Sequence, residues 1–269
     1  MNRIDALFTR LRGEGRRALM PFLTAGDPDL ETTAALITEM VGRGASMVEL
    51  GIPYSDPIAD GPVISESYHR ALTRGVKLDA IFEMVRRLRA GGGIGDAPVV
   101  TMVSYAIIHR TGVDRYLTRA AESGVDGLIV PDLPVEESES LLKLVTGRNL
   151  KLIQLVTPTT PRARALHIAR TTTGFLYYVS VAGITGERKE MPPDLAANVA
   201  WLRSQSELPI CIGFGISTAD HVRALAPNAD GLIVGSALVR RLADADTLSR
   251  DDLVASIGAF VGELATGLE

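Results

Sequence analysis

The sequence predicts an α/β protein built as a closed (β/α)8 TIM barrel with an extra N-terminal helix, one domain spanning residues 1–269. Three observations predict it. Eight short apolar runs recur along the chain, each followed by a stretch with helical spacing. No low-complexity or linker-like segment divides them, and 269 residues suit one large α/β unit. The apolar content, 46% of residues with only 5% aromatic, is mostly Ala, Val, Leu and Ile, the palette of parallel strands covered on both faces.

Ile4, Leu7, Phe8 and Leu11 fall at helical spacing, so a short amphipathic helix leads in and Gly13 breaks it. Ala18 to Thr24 is the first strand; Ala25-Gly26-Asp27-Pro28-Asp29 is the turn, and Glu31 to Val41 the helix. Met47 to Leu50 is the second strand, and a helix marked by Leu78, Ile81, Phe82, Val85 and Leu88 runs to the glycines at 91–93. Val99–Val103, Gly127–Val130 and Leu152–Val156 are the third to fifth strands; Phe175–Val179, Pro209–Gly213 and Gly231–Val234 the sixth to eighth. An open doubly wound sheet is the competing arrangement. Its dinucleotide fingerprint belongs after the first strand, where Thr24-Ala25-Gly26-Asp27-Pro28 does not supply it.

Composition removes several classes. Lys and Arg number 28 against 32 Asp and Glu, a net charge of −4 with no like-charge block, so neither nucleic acid nor an anionic membrane is the expected partner. The lone Cys211 sits in an apolar strand and excludes a disulfide framework within the chain. No run is long and apolar enough to span a membrane, and a soluble, cytoplasmic setting is expected.

Glu49 stands out. Alternation places Val48 and Leu50 outward under the helices, so Glu49 points into the space the sheet encloses, at the strand end where barrel chemistry gathers. A carboxylate there is costly unless paired or used. The sequence leaves open whether it is a satisfied ion pair or a reacting group. The segment Ile52 to Ser67, rich in Asp, Pro and Gly, reads as a functional loop over the barrel mouth and carries Asp60.

Gly213-Phe214-Gly215-Ile216-Ser217-Thr218 follows the seventh strand and Gly235-Ser236-Ala237-Leu238 the eighth. Glycines let backbone N–H groups approach an anion, and loops after these two strands form a common phosphate site in barrels. The long polar stretch from Val181 to Pro193 reads as a lid. Lys77, Lys143, Lys151 and Lys189 lie away from strand C-termini, which leaves no Schiff-base nucleophile. His69, His109, His167 and His221 show no metal-ligand spacing, so no metal is expected. Carboxylate acid–base chemistry on a phosphorylated substrate remains, with Glu49 and Asp60 as its carriers.

The runs Pro21-Phe22-Leu23-Thr24-Ala25-Gly26-Asp27-Pro28, Glu49 through Pro62, Pro131 through Glu137, Ala182-Gly183-Ile184-Thr185-Gly186, Gly213 through Ser217 and Gly235-Ser236-Ala237 together resemble the tryptophan synthase alpha subunit family, in order and over essentially the whole chain. The resemblance implies a lyase that splits indole-3-glycerol phosphate into indole and glyceraldehyde 3-phosphate. It carries no cofactor of its own and works with a pyridoxal-phosphate beta subunit in an α2β2 heterotetramer. By the same resemblance Glu49 is the acid/base residue and Asp60 stabilises positive charge at the indole N–H. Phe22 and Ile129 wall the indole pocket, Tyr177 supports Glu49, Thr185 sits on the lid, and Phe214 lies in the substrate-binding run. Gly186, Gly215, Gly235 and Ser236 hold the phosphate. Two departures from the family pattern stand out. Ser104 and Ala106 occupy the usual Tyr and Asn positions after the third strand, removing an expected polar support near Asp60, and Val181 replaces the more usual Arg or Ser. They raise an alternative, a barrel that binds a phosphorylated ligand and activates a partner while cleaving poorly. A related indoleglycerol-phosphate synthase would want a strand-end lysine that this chain lacks.

Overall fold

The computed structural model describes residues 1–57, 60–179, 194–213 and 215–269. Nine strand segments form one sheet: β1 Ala18–Thr24, β2 Val48–Gly51, β3 Val99–Met102, β4 Gly127–Ile129, β5 Lys151–Ile153, β6 Leu155–Val156, β7 Leu176–Val179, β8 Ile210–Gly213 and β9 Gly231–Val234. All neighbours pair in parallel, in the order β5-β4-β3-β2-β1-β9-β8-β7-β6. The two ends of that order are consecutive in sequence, joined at Gln154, so the sheet closes on itself.

The fifth strand, expected as one run from Leu152 to Val156, is therefore corrected to two segments. Residues 151–153 pair with β4, residues 155–156 pair with β7, and the backbone carbonyl of Gln154 accepts from Tyr177 N–H at 3.1 Å. Strands tilted around a barrel are staggered, and this one gives each neighbour a different half. A second correction concerns the segment 52–67. A helix begins inside it, Pro62–Thr73, with Gly61 at its N-cap and Pro62 in the first turn. Proline suits that position because the N–H it lacks would go unbonded there. A further short helix, Tyr105–Thr111, follows β3.

Side chains sort by strand alternation. Val48 and Leu50 face the outer core beneath the helices, as expected, together with Leu23, Val99, Leu128, Leu152 and Ile212. The opposite face supplies Met20, Val100, Ile129, Ile153, Tyr177, Cys211 and Ile233, which fill the barrel interior. The N-terminal helix Arg3–Gly13 stops the barrel bottom: Ile4, Leu7, Phe8 and Leu11 join that interior cluster, and Phe8 packs on Phe175 at 5.8 Å between rings. Asn2 fixes its angle, accepting from Ile4 N–H at 2.8 Å and donating from Nδ2 to the carbonyl of Asp126 at 2.9 Å.

The mouth is organised by helix Pro62–Thr73, anchored on the loop after β1. Arg70 donates to the buried Asp27 carboxylate at 2.6 and 3.1 Å, and the hydroxyls of Thr24 and Ser67 lie 2.5 Å apart. These bonds seat Ile64 and Tyr68 against Phe22 and Val239 in a cluster of their own at the top of the barrel.

Candidate active site

Glu49 lies on β2 opposite Phe22 of β1 and Val100 of β3, points into the interior and is 1% exposed. Neither carboxyl oxygen has a hydrogen-bond partner among the described residues. The ion-pair reading left open by the sequence is thus excluded among those residues. Burial first, and then the charge of Asp60, push Glu49 up to about 8. It is a neutral acid at pH 7, kept so by its removal from water.

Asp60 stands at the rim, half-buried, and accepts from the Tyr54 hydroxyl at 3.5 Å. Burial lifts it to about 6, the Tyr54 bond opposing the rise. Two carboxyls are thereby held in opposite states near neutrality, the arrangement that separates an acid from a charge stabiliser. A reaction that needs Glu49 protonated and Asp60 ionised is expected to be fastest between about pH 6 and about pH 8. Activity falls on the acid side as Asp60 takes up its proton and on the alkaline side as Glu49 loses its own. A bell-shaped kcat/KM profile with those two limbs checks the assignment.

Both carboxyls line a cavity of about 120 Å³ with Phe22, Ile64, Met102, Tyr177, Val179, Ile216 and Ile233, and Gly213, Gly215, Gly235 and Ser236 complete the lining. The lining thus joins apolar side chains to the glycine-rich backbone after β8 and β9. That combination suits a ligand with a flat apolar body and an anionic tail. Gly213 is required by close approach: a Cβ there would stand 2.7 Å from the Tyr177 hydroxyl. Gly215 has φ of +21°, and Ser236 opens the helix Ser236–Leu242 with Gly235 at its N-cap. First-turn N–H groups have no partner within their own helix. Roomier hollows lie outside the barrel, one of about 410 Å³ between helices Leu30–Gly42 and Leu78–Ala90. Its two acids are ion-paired, Glu83 with Arg86 and Arg87 and Glu31 with Arg250, so volume alone does not select the site.

The structure brings Glu49, Asp60, Phe22, Tyr177, Gly215, Gly235 and Ser236 to one cavity. Ile129 is fully buried in the interior, paired across to Met102, and it is Met102 that lines the cavity there. Tyr177 lies beside Glu49 without a hydrogen bond to it; burial and then the Glu49 charge raise its hydroxyl well above the ordinary phenol range. Thr185, Gly186 and Phe214, with Val181, lie outside the described residues. Ser104 serves elsewhere: its hydroxyl donates to Asp132 at 2.6 Å and accepts from Ala106 N–H at the start of the helix after β3. The polar contact to Asp60 comes instead from Tyr54, which sequence reasoning passes over, as it does Met102, Ile64, Val179 and Ile233. Strand alternation alone would have singled out Met102, two residues past Val100 on the same face.

Among the described residues no group of three or more metal-binding side chains occurs, and no helix is long and apolar enough to cross a membrane. Fold and site together define a (β/α)8-barrel enzyme with a carboxylate pair at its mouth. The sequence matches the family model described as "Tryptophan synthase alpha chain" over residues 8–268. The tryptophan synthase alpha chain of Rhodopirellula baltica is 56% identical over 245 residues, covering 91% of this chain and 88% of that one. Tryptophan synthase subunit alpha from Legionella pneumophila has a solved structure similar at a TM-score of 0.91 and 36% identity, covering 100% of this chain and 98% of the other. A chain in the crystal structure of the tryptophan synthase complex from Pyrococcus furiosus is similar at 0.84 and 36% identity, covering 93% and 98%. The chain belongs to the tryptophan synthase alpha chain family.

Proposed function

We propose that the chain is the lyase that cleaves indole-3-glycerol phosphate to indole and glyceraldehyde 3-phosphate, the alpha reaction of tryptophan biosynthesis, with Glu49 moving both protons. The observation that carries this reading is a fully buried, unpaired Glu49 held neutral at the floor of a cavity whose rim carries a charged Asp60. A retro-aldol step needs an electron sink, and the indole ring supplies it. Neutral Glu49 donates its proton to C3 of the ring, and the positive charge that develops at the ring N–H is met by Asp60. Glu49, now a carboxylate, takes the proton of the glycerol hydroxyl next to the ring. The hydroxyl becomes the aldehyde, the bond to C3 breaks, and its electron pair returns to the indole. Glu49 ends protonated, ready for another turnover.

In the same reading Phe22, Ile64 and Met102 hold the indole, with Ile129 packed behind them. The phosphate lies against Gly215, Gly235 and Ser236, with Gly186 and Phe214 nearby and Thr185 on a covering segment. The chain forms one domain, works in the cytoplasm, and holds no cofactor. It docks to a pyridoxal-phosphate beta subunit in an α2β2 assembly that consumes the indole. The similarity to a chain of the Pyrococcus furiosus tryptophan synthase complex supports that partner. Supplying indole-3-glycerol phosphate to the purified chain, with and without a beta subunit, tests the reading. Indole and glyceraldehyde 3-phosphate are expected in equal amounts and faster with the partner. A chain that binds the substrate and releases no indole under either condition is the ligand-binding activator instead.

A further inference from the structure

Tyr68 is wholly buried and its hydroxyl has no partner among the described residues. A phenol in that state is costly unless something uses it. Its position says what it can reach. Gly51 follows Glu49 by two residues on β2, so a side chain there would point the same way, into the barrel just above Glu49. That space is already filled: a Cβ on Gly51 would stand 2.8 Å from the Tyr68 hydroxyl oxygen and 2.5 Å from the Phe22 ring. The hydroxyl therefore sits one layer above Glu49, next to the Phe22 ring. The Tyr68 ring packs on Tyr54 at 5.6 Å, and Tyr54 is the residue that bonds Asp60. That bond, 3.5 Å long, is the only hydrogen bond to the Asp60 carboxylate among the described residues, so a carboxylate with acceptor capacity to spare and a phenol with a spare donor flank the same Tyr54.

We propose that Tyr68 is a positioning residue for the cleavage: its hydroxyl donates to the Asp60 carboxylate in the working enzyme and, with Tyr54, holds that carboxylate ionised and turned toward the substrate. The inference rests on the function proposed above. The charged or titratable groups acting on Tyr68 are Asp60 and Tyr54 from the loop and Glu49 from β2; its other neighbours, Phe22 and Val239, are apolar. Burial, and after it the Asp60 charge, keep the phenol protonated far above neutrality, so it is available as a donor throughout the working range. The phenol pair also supplies from the β2 side the polar support that Ser104 and Ala106 do not give from β3.

The test compares wild type, Tyr68→Phe, Asp60→Asn and the double variant in indole release. Phe keeps the ring and its packing. The expected result is a fall in kcat of about tenfold or more for Tyr68→Phe with KM within twofold. On the Asp60→Asn background the same change should cost less than twofold, because the two groups act as one. Equal losses on both backgrounds, or no loss in the single variant, overturn the proposal. A second readout does not depend on turnover. Following the Asp60 carboxyl by ¹³C NMR, assigned by its absence from Asp60→Asn, should show its titration moving up by about half a unit or more in Tyr68→Phe, since a donor to the charged form has been removed. An unmoved titration overturns the proposal even if kcat falls. If the wild type releases no indole, the cleavage reading fails, and the carboxyl titration still decides whether Tyr68 acts on Asp60.

Discussion

Glu49→Gln is expected to give a folded barrel that releases indole at less than about one-thousandth of the wild-type rate and is more stable than wild type at neutral and alkaline pH. The activity follows from the chemistry. Gln fills the same space, yet it has no proton to give to the ring and no charge with which to take one from the hydroxyl. Acid–base help is worth about 10² to 10⁴ per group, and here one group works in both directions. The stability follows from burial. In the unfolded chain Glu49 titrates near 4.5, while in the barrel it holds its proton to about 8. Between those values the unfolded state has shed a proton that the folded state keeps, so the wild type loses stability as pH rises through that window. The slope approaches about 1.4 kcal/mol per pH unit for a single group. The amide of the variant has nothing to titrate. Urea unfolding of both proteins at pH 5, 7 and 8 should therefore show a gap widening by a few kcal/mol. A gap that stays constant over this range would mean that Glu49 is not held neutral.

How far this arrangement is legible in the sequence depends on which level is asked. The apolar runs locate the strands because a parallel sheet covered on both faces needs continuous apolar sequence. Alternation around Glu49 then places the carboxyl inside with no further information. Local patterning does not say which neighbour a strand bonds, so the division at Gln154, where β4 takes one half and β7 the other, is invisible until the barrel closes. The helix at Pro62–Thr73 is within reach of the sequence: Ile64, Tyr68 and Ala71 are among its buried positions, spaced at four and three, and Gly61-Pro62 is a legitimate start. The richness of Asp, Pro and Gly just before it suggests loop throughout and masks that start. Tyr54 illustrates the remaining gap. Tyr54 meets the site only by turning back on Asp60, a contact set by how the loop folds, whereas Met102 follows from alternation along β3 once Val100 is placed inside. Sequence shows Tyr54 as an ordinary member of a loop.

Asp60→Asn is expected to lower kcat by about 10² to 10³ while leaving KM nearly unchanged, the range seen when one preorganised electrostatic partner of a developing charge is removed. The amide retains the size of the carboxyl and an oxygen that can still accept from Tyr54, so the cavity keeps its shape. It loses the negative charge that meets the ring as C3 is protonated, an interaction stronger in the transition state than in the bound substrate, and such a loss falls on kcat. The pH profile separates this from a packing defect. The acid limb near pH 6 belongs to Asp60 and should vanish in the variant. The alkaline limb belongs to Glu49, whose rise to about 8 comes first from burial and then from the charge of Asp60; removing that charge should bring the limb down while burial keeps it above the ordinary carboxylate range. A variant that retains both limbs unmoved, whatever its rate, would show that Asp60 is not the charge facing Glu49 across the cavity.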